Sequence, residues 1–288
     1  MTDLKRIVVL ASGEAGDSEA LNAAAAIAAL HRAVVEIFSI HQDAAGDLIS
    51  LGLLLGAHRS AETLNAIAAA EKESRDRIAE AAIRCAEAHD LPYGPGPDSP
   101  RLVLFDHAFR PPTIEDRTLV LADLTVIGQG YLSKAGRLSA VLGQVLLTQR
   151  APLLIARGNG ERVARCAAIA WDGSREAGRA VRMALALLKE ASSVAILQYR
   201  PGSAAGAPIP DPVRLSAYLE LHGVLDATYE AVDGEAEGEA LVGAAHRLNI
   251  DILVAGAWGH TRVQETLFGG ATQSLLMDRE GPSLLLAH

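Results

Sequence analysis

The chain has 288 residues and 30.2 kDa, enough for one large domain or two medium ones with their own cores. Half of the residues are apolar, 4% are aromatic and 21% are charged, a composition rich in small aliphatic side chains that excludes disorder as the main state. Thirty-five acidic against 26 basic residues give a formal charge of −9, so there is no basic footprint for phosphate-backbone binding and nucleic acid is not an expected partner.

The run Ile7 to Ala11 reads as a short buried strand ending in the turn residues Ser12 and Gly13, followed by an Ala-rich helical stretch from Ser18 to His31 and a second strand from Val34 to Ile40. The same order returns at Cys166 to Ala170, Glu176 to Glu190 and Val194 to Tyr199. Ser12 and Asp172 then correspond at a displacement of 160 residues. Asp123 to Gly128 matches Asp251 to Gly256 at 128, both β-rich runs stopped by glycine. Ala151 to Ala156 matches Gly281 to Ala287, with Pro152 and Pro282 at the strand starts and a displacement of 130.

The fall in displacement gives the first half about thirty extra residues between its second and fourth strands. They are visible as Asp47 to Ala57 and the charged helical run Ser60 to His89, broken by the Pro- and Gly-rich stretch after Leu91. Glu71 to Arg77 reads as the solvated face of that helix. Gly158 to Gly160 is the natural linker, so the expected domains are 1–158 and 159–288. Continuous apolar strands alternating with helices point to parallel sheets covered on both faces.

Cys85 and Cys166 stand singly in apolar stretches, which argues against zinc or a disulfide framework and for inert core thiols. The first apolar run is too short for a signal peptide and no stretch approaches the ~20 residues of a membrane span, so a cytoplasmic protein is expected. No GxxxxGK[ST], HExxH or GxSxG occurs, and Gly128-Gln-Gly130 lacks the third glycine of a dinucleotide fingerprint. The histidines form no metal spacing: His89 and His107 read as solvated turn residues, and His260 as a loop residue.

Ligands of parallel α/β sheets bind beyond the carboxyl ends of the strands. In the second half those ends carry Trp171, Asp172 and Tyr199, then Ala255, Gly256, Trp258, Gly259 and His260. Gly269, Gly270, Ala271 and Thr272 precede a helical stretch. Glycine lets a backbone approach a phosphate and free N–H groups at a helix start attract anions, so Gly269 to Thr272 reads as a phosphate cradle with Gly256 and Gly259 as its other wall. An aspartate ending a strand can accept from a ribose or a base amine. The competing reading takes these glycines as turn residues and the two tryptophans as caps on the core.

The spacing Gly256-x2-Gly259-x9-Gly269, together with the opening segment Trp171 to Val181, resembles the universal stress protein family over residues 164 to 288, and more faintly over residues 4 to 157. The resemblance implies two tandem domains, each a five-stranded parallel α/β sandwich of the adenine nucleotide alpha hydrolase-like class. They would be related by a pseudo-twofold axis and paired through their last strands; the sequence leaves open a homodimer of the whole chain and the identity of a protein partner. Many members bind ATP. By position, Trp171 and Asp172 would meet the adenosine, Tyr199 and Ala255 the base, and Gly256, Gly259, Gly269, Gly270, Ala271 and Thr272 the ribose and phosphates. The family's ATP-binding pattern has Ser or Thr after the third glycine, whereas this chain has Gly270. Weak binding, or preference for a less phosphorylated nucleotide, follows from that departure.

In the first half Ser12 replaces Asp172, and Val141 and Leu142 align with Gly269 and Gly270. Branched side chains there would occlude a phosphate, so no site is expected in that half. The leading reading is a cytoplasmic stress-response protein that binds ATP or AMP, with or without Mg2+, in its second domain as a sensor or regulator without dedicated catalysis. The alternatives are an interaction module that binds no nucleotide and, from the faint likeness of Ser12 to Ser18 to an SGGxDS loop, an ATP-pyrophosphatase-like enzyme.

Overall fold

The computed structural model describes residues 3–40, 57–109, 118–133, 137–158, 160, 164–200, 211–257 and 270–288. The first half comprises β1 (Arg6–Ala11), α1 (Asp17–His31), β2 (Val34–Ser39), α2 (Ala57–Ala88), β3 (Arg101–Leu104), β4 (Leu124–Gly128), α3 (Arg137–Leu142) and β5 (Leu153–Ala156), with a π-helical turn over Gly143–Thr148. The second comprises β6 (Cys166–Ala170), α4 (Arg175–Glu190), β7 (Ser193–Tyr199), α5 (Pro212–Leu221), β8 (Thr228–Val232), α6 (Glu237–Arg247), β9 (Ile252–Gly256), α7 (Gly270–Met277) and β10 (Ser283–Ala287).

Local chemistry sets the helix starts. Ser174 caps α4 by accepting from the Ala177 N–H at 3.0 Å. Asp211 caps α5 by accepting from the Val213 N–H at 2.9 Å, with Pro212 in the first helical turn, where its missing N–H costs nothing. The strands β4, β5 and β10 are buried at every residue. That is the burial a continuous apolar run needs when helices cover both faces of its sheet.

All ten strands form one sheet in the order β3-β2-β1-β4-β5-β10-β9-β6-β7-β8. Within each half every pairing is parallel. Only β5 and β10 run antiparallel, with Leu154 opposite Leu285. Two five-stranded parallel sheets are thereby fused edge to edge, and each covers the other's apolar last strand. One apolar layer lies against α1, α2, α4 and α5, and the second against α3, α6 and α7.

Strand register relates the halves residue by residue. Ile7 pairs with Leu124 and Ala167 with Ile252, so the displacements of 160 and 128 hold in space. Gly128 pairs with Ala156 and Gly256 with Ala287. The last strands are therefore displaced by 131, one more than the prolines imply, and the pseudo-twofold axis passes through the Leu154–Leu285 pair. A proline marks the approach to a strand without joining its ladder, so it is a poor ruler of register. The extra residues of the first half fall between β2 and β3, where the 32-residue α2 stands in the place of the 10-residue α5. Among the described residues no helix is long and apolar enough to cross a membrane.

Candidate functional site

In each half the chain winds outward in both directions from one strand, so β1 and β4, and equally β6 and β9, flank a topological switch point. The crevice beyond the carboxyl ends of such strands is where the sheet itself leaves room for a ligand. In the second half that crevice is an open pocket of about 750 Å³ including its mouth.

Trp171 and Asp172 follow β6, Tyr199 ends β7, Ala255 and Gly256 end β9, and Gly270, Ala271 and Thr272 open α7; all eight line this pocket. Leu197, Leu241 and Leu275 form its apolar floor. Gly259 and Gly269, with Trp258 and His260, lie outside the described residues. Asp172 accepts from the Ser174 N–H at 2.9 Å, which leaves its second oxygen available at the rim. The Tyr199 hydroxyl is already committed to the Gly234 carbonyl at 2.9 Å, so its contribution to the pocket is its ring. The indole Nε1 of Trp171 is buried and has no hydrogen-bond partner among the described residues. A buried N–H without an acceptor is costly.

The glycines divide by cause. A Cβ on Gly256 would stand 2.6 Å from the Ala177 nitrogen and 2.7 Å from the Glu176 carbonyl carbon. Gly256 is therefore required by the close approach of α4, whatever the pocket holds. Gly128 meets Gly16 at the start of α1 in the same way, so this glycine serves packing in both halves. Gly270 is different: a Cβ there meets nothing within 4 Å among the described residues.

One charged pocket residue lies outside the set that sequence reasoning picks out. Glu237, the first residue of α6, lines the same crevice as Asp172. Its only sequence signal is an acid in the first turn of a helix, which usually reports no more than the helix dipole. Among the described lining residues there are thus two carboxylates and no Lys or Arg. Such a lining suits hydroxyl and amine donors better than a triphosphate. No group of three or more His, Cys, Asp or Glu that could hold a metal occurs among the described residues.

The residues expected to occlude a phosphate in the first half do not stand where the sequence match puts them. Val141 and Leu142 lie beyond the first turn of α3, fully buried in the core, rather than at a phosphate position. The space beyond β1 is taken instead by Asp17. Its carboxylate accepts from the Ser12 N–H at 2.9 Å, the Ser12 hydroxyl at 3.1 Å and the Gly13 N–H at 2.6 Å. Burial nevertheless raises its pKa, outweighing those bonds. Ser74, inside the charged run expected to face solvent, is 7% exposed and donates to the Ser12 carbonyl at 2.7 Å. Arg77 donates to the Gly13 carbonyl at 2.9 Å. The long helix α2 therefore lays two side chains across the end of β1, where a short helix would leave room.

The remaining residues that stand out in the sequence have structural surroundings. Cys85 is buried and its thiol is pushed up to about 11 by desolvation, which makes it a poor nucleophile. His288 pairs its Nδ1 with the Ala257 carbonyl at 2.9 Å. His107 lies against Phe38 and Phe105.

No family model matches the sequence, and no curated protein matches it. The fold, by contrast, has clear parallels. The chain is similar to a universal stress protein from Archaeoglobus fulgidus DSM 4304, with a TM-score of 0.67 at 12% identity over 99% of this chain and 97% of that one. It is also similar to a Pseudomonas aeruginosa PAO1 protein described as functionally unknown, with a TM-score of 0.52 at 15% identity over 99% of this chain and 92% of that one. The chain thus has the tandem universal stress protein fold, two α/β domains in one polypeptide.

Proposed function

We propose that the second half of this chain binds an adenine nucleotide and that the protein acts as a cytoplasmic sensor or regulator rather than through dedicated catalysis. The observation that carries this reading is the meeting of Trp171, Asp172, Tyr199, Ala255, Gly256, Gly270, Ala271 and Thr272 around one crevice at a switch point. The apolar floor suits a base, and the free oxygen of Asp172 suits a ribose hydroxyl or a base amine. The first turn of α7 offers backbone N–H groups and the Thr272 hydroxyl to a phosphate. Gly259 and Gly269 would complete that cradle, with Mg2+ entering only with the phosphates. The two carboxylates favour AMP or adenosine over ATP. The domains divide at residues 158 and 159, and only the second carries a site.

A calorimetric titration with AMP, and with ATP plus Mg2+, tests this. One site per chain is expected, with AMP at least as tight as ATP and binding weakened about tenfold or more in Asp172→Ala, the loss of one hydrogen bond to a charged group. Two sites per chain would overturn the assignment of the first half as closed.

A second reading, an interaction module without a nucleotide, is favoured by Gly270 standing where a hydroxyl donor is expected and by the absence of a cation among the described lining residues. No heat with any adenine nucleotide at millimolar concentration, and an unchanged melting temperature, would make it the better account.

A further inference from the structure

A second concave feature lies at the seam between the halves. Arg150, from the turn before β5, meets Arg175, Arg179 and Arg182 of α4 around a cavity of about 680 Å³ including its mouth, with Glu176 and His288 completing the wall. The three α4 residues are spaced so that they share one face of the helix. Arg150 and Arg182 also line a neighbouring groove together, so the two guanidinium groups come from different halves to the same place.

The chain as a whole carries −9, yet Glu176 is the single acidic side chain lining the cavity. Among the described residues none of the four arginines enters an ion pair, whereas Arg6, Arg75, Arg77, Arg84 and Arg247 all do. Like charges one helical turn apart weaken a helix. Arg175 is moreover the first residue of α4, the end at which the helix dipole disfavours a cation. Arg150, Arg175 and Arg182 are exposed and Arg179 is half-buried, so all four are open to a solute. Unpaired guanidinium forks converging on a concavity are the donor set that holds a phosphate through paired N–H···O bonds.

We infer that these arginines form a binding site for a small, multiply charged phosphate-bearing anion that bridges the two halves. The concavity suits a compact ligand, and the net charge of −9 disfavours a nucleic acid backbone. The site shares no lining residue with the proposed nucleotide pocket, although Glu176 backs onto Gly256: α4 packs on one face of the sheet, while α6 and α7, which line that pocket, pack on the other. The inference does not rest on the nucleotide reading.

The test titrates the full chain with inorganic tripolyphosphate in low-chloride buffer without magnesium. One site per chain is expected, weakened at least tenfold in the Arg150→Gln/Arg179→Gln double variant and at least threefold in Arg182→Gln. Lys189→Gln, a charge change of the same size as a single arginine variant but at the far end of α4, should bind as the parent does. Melting curves establish that each variant is folded. No binding at millimolar tripolyphosphate overturns the site, as does equal binding by the parent and the double variant. So does a loss in Lys189→Gln as large as in Arg182→Gln, which would reduce the effect to general charge.

Discussion

Arg157 donates a 2.7 Å hydrogen bond from its Nη2 to the carbonyl of Leu275, reaching from the end of β5 in the first half into α7 of the second. The same guanidinium donates to the Pro282 carbonyl at 2.8 Å and to Gln129 Oε1 at 3.0 Å. Burial lowers its pKa to about 10, which leaves it charged at neutral pH. At 7% exposure it is the one charged group buried at the seam among the described residues, and it ties a first-half guanidinium to two second-half carbonyls.

Replacing Arg157 by Ala strands those carbonyls away from water. Hydrogen bonds to a charged group contribute about 1.5–3 kcal/mol each and are not additive, so the expected loss is about 3 kcal/mol in a urea denaturation. Arg157→Lys should recover less than half, because a single ammonium cannot span three acceptors in different directions. A loss below about 1 kcal/mol for the Ala variant would show that water replaces the guanidinium and that the seam is held by β5 and β10 alone.

Gly256→Ala tests the claim that this motif glycine serves packing. The added Cβ would press on backbone atoms of Ala177 and Glu176, and overpacking of this kind costs about 1–3 kcal/mol. The melting temperature should fall in the absence of any nucleotide. If it stays within a degree or two of the parent, α4 is free to retreat and Gly256 is there for a ligand instead.

Much of this architecture can be read from particular residues. The runs Ile7–Ala11 and Ala167–Ala170 are apolar without alternation, and such runs fit only strands covered on both faces. The eight described pocket residues fall together because the carboxyl end of every strand in a parallel sheet points the same way. What escapes the sequence is tertiary. Nothing in Asp17 or Ser74 announces that one fills the space beyond β1 and the other covers it, since both stand in polar stretches that read as solvated. Counting from β4 matches Val141 and Leu142 to the motif glycines, but the helix they occupy starts at a different distance from that strand than its counterpart does. The arginine cavity unites a turn of one half with a helix of the other, and no local spacing reports that.

The pH dependence of stability should carry a signature of His31. Its side chain is 7% exposed, its Nε2 has no partner among the described residues, and desolvation lowers its pKa, against the pull of Glu190 and Asp3. A base with a depressed folded value stays neutral where the unfolded chain, titrating near ~6.5, takes up a proton. Its contribution is therefore present above the unfolded pKa and is lost as pH falls through the interval down to the folded value. Urea midpoints measured at pH 7.5 and pH 5 should drop more steeply for the parent than for His31→Gln. Parallel profiles would mean that His31 is reached by water and titrates normally.

Gly270→Ser addresses the departure from the family pattern directly. Gly270 opens α7, and a Cβ added there meets nothing within 4 Å among the described residues, so the serine displaces none of them, and its intrinsic helix propensity is better than that of glycine. If a phosphate lies against this turn, the new hydroxyl adds one hydrogen bond to a charged acceptor, about 1.5–3 kcal/mol or roughly ten- to a hundredfold in affinity. The gain should appear for ATP and AMP and be absent for adenosine, because only the phosphate meets the hydroxyl. Tightening of all three alike would trace the effect to a stiffer helix. No change for any of them, in a variant as stable as the parent, would place the phosphate away from α7 and leave Asp172 and Trp171 as the groups on which the nucleotide reading depends.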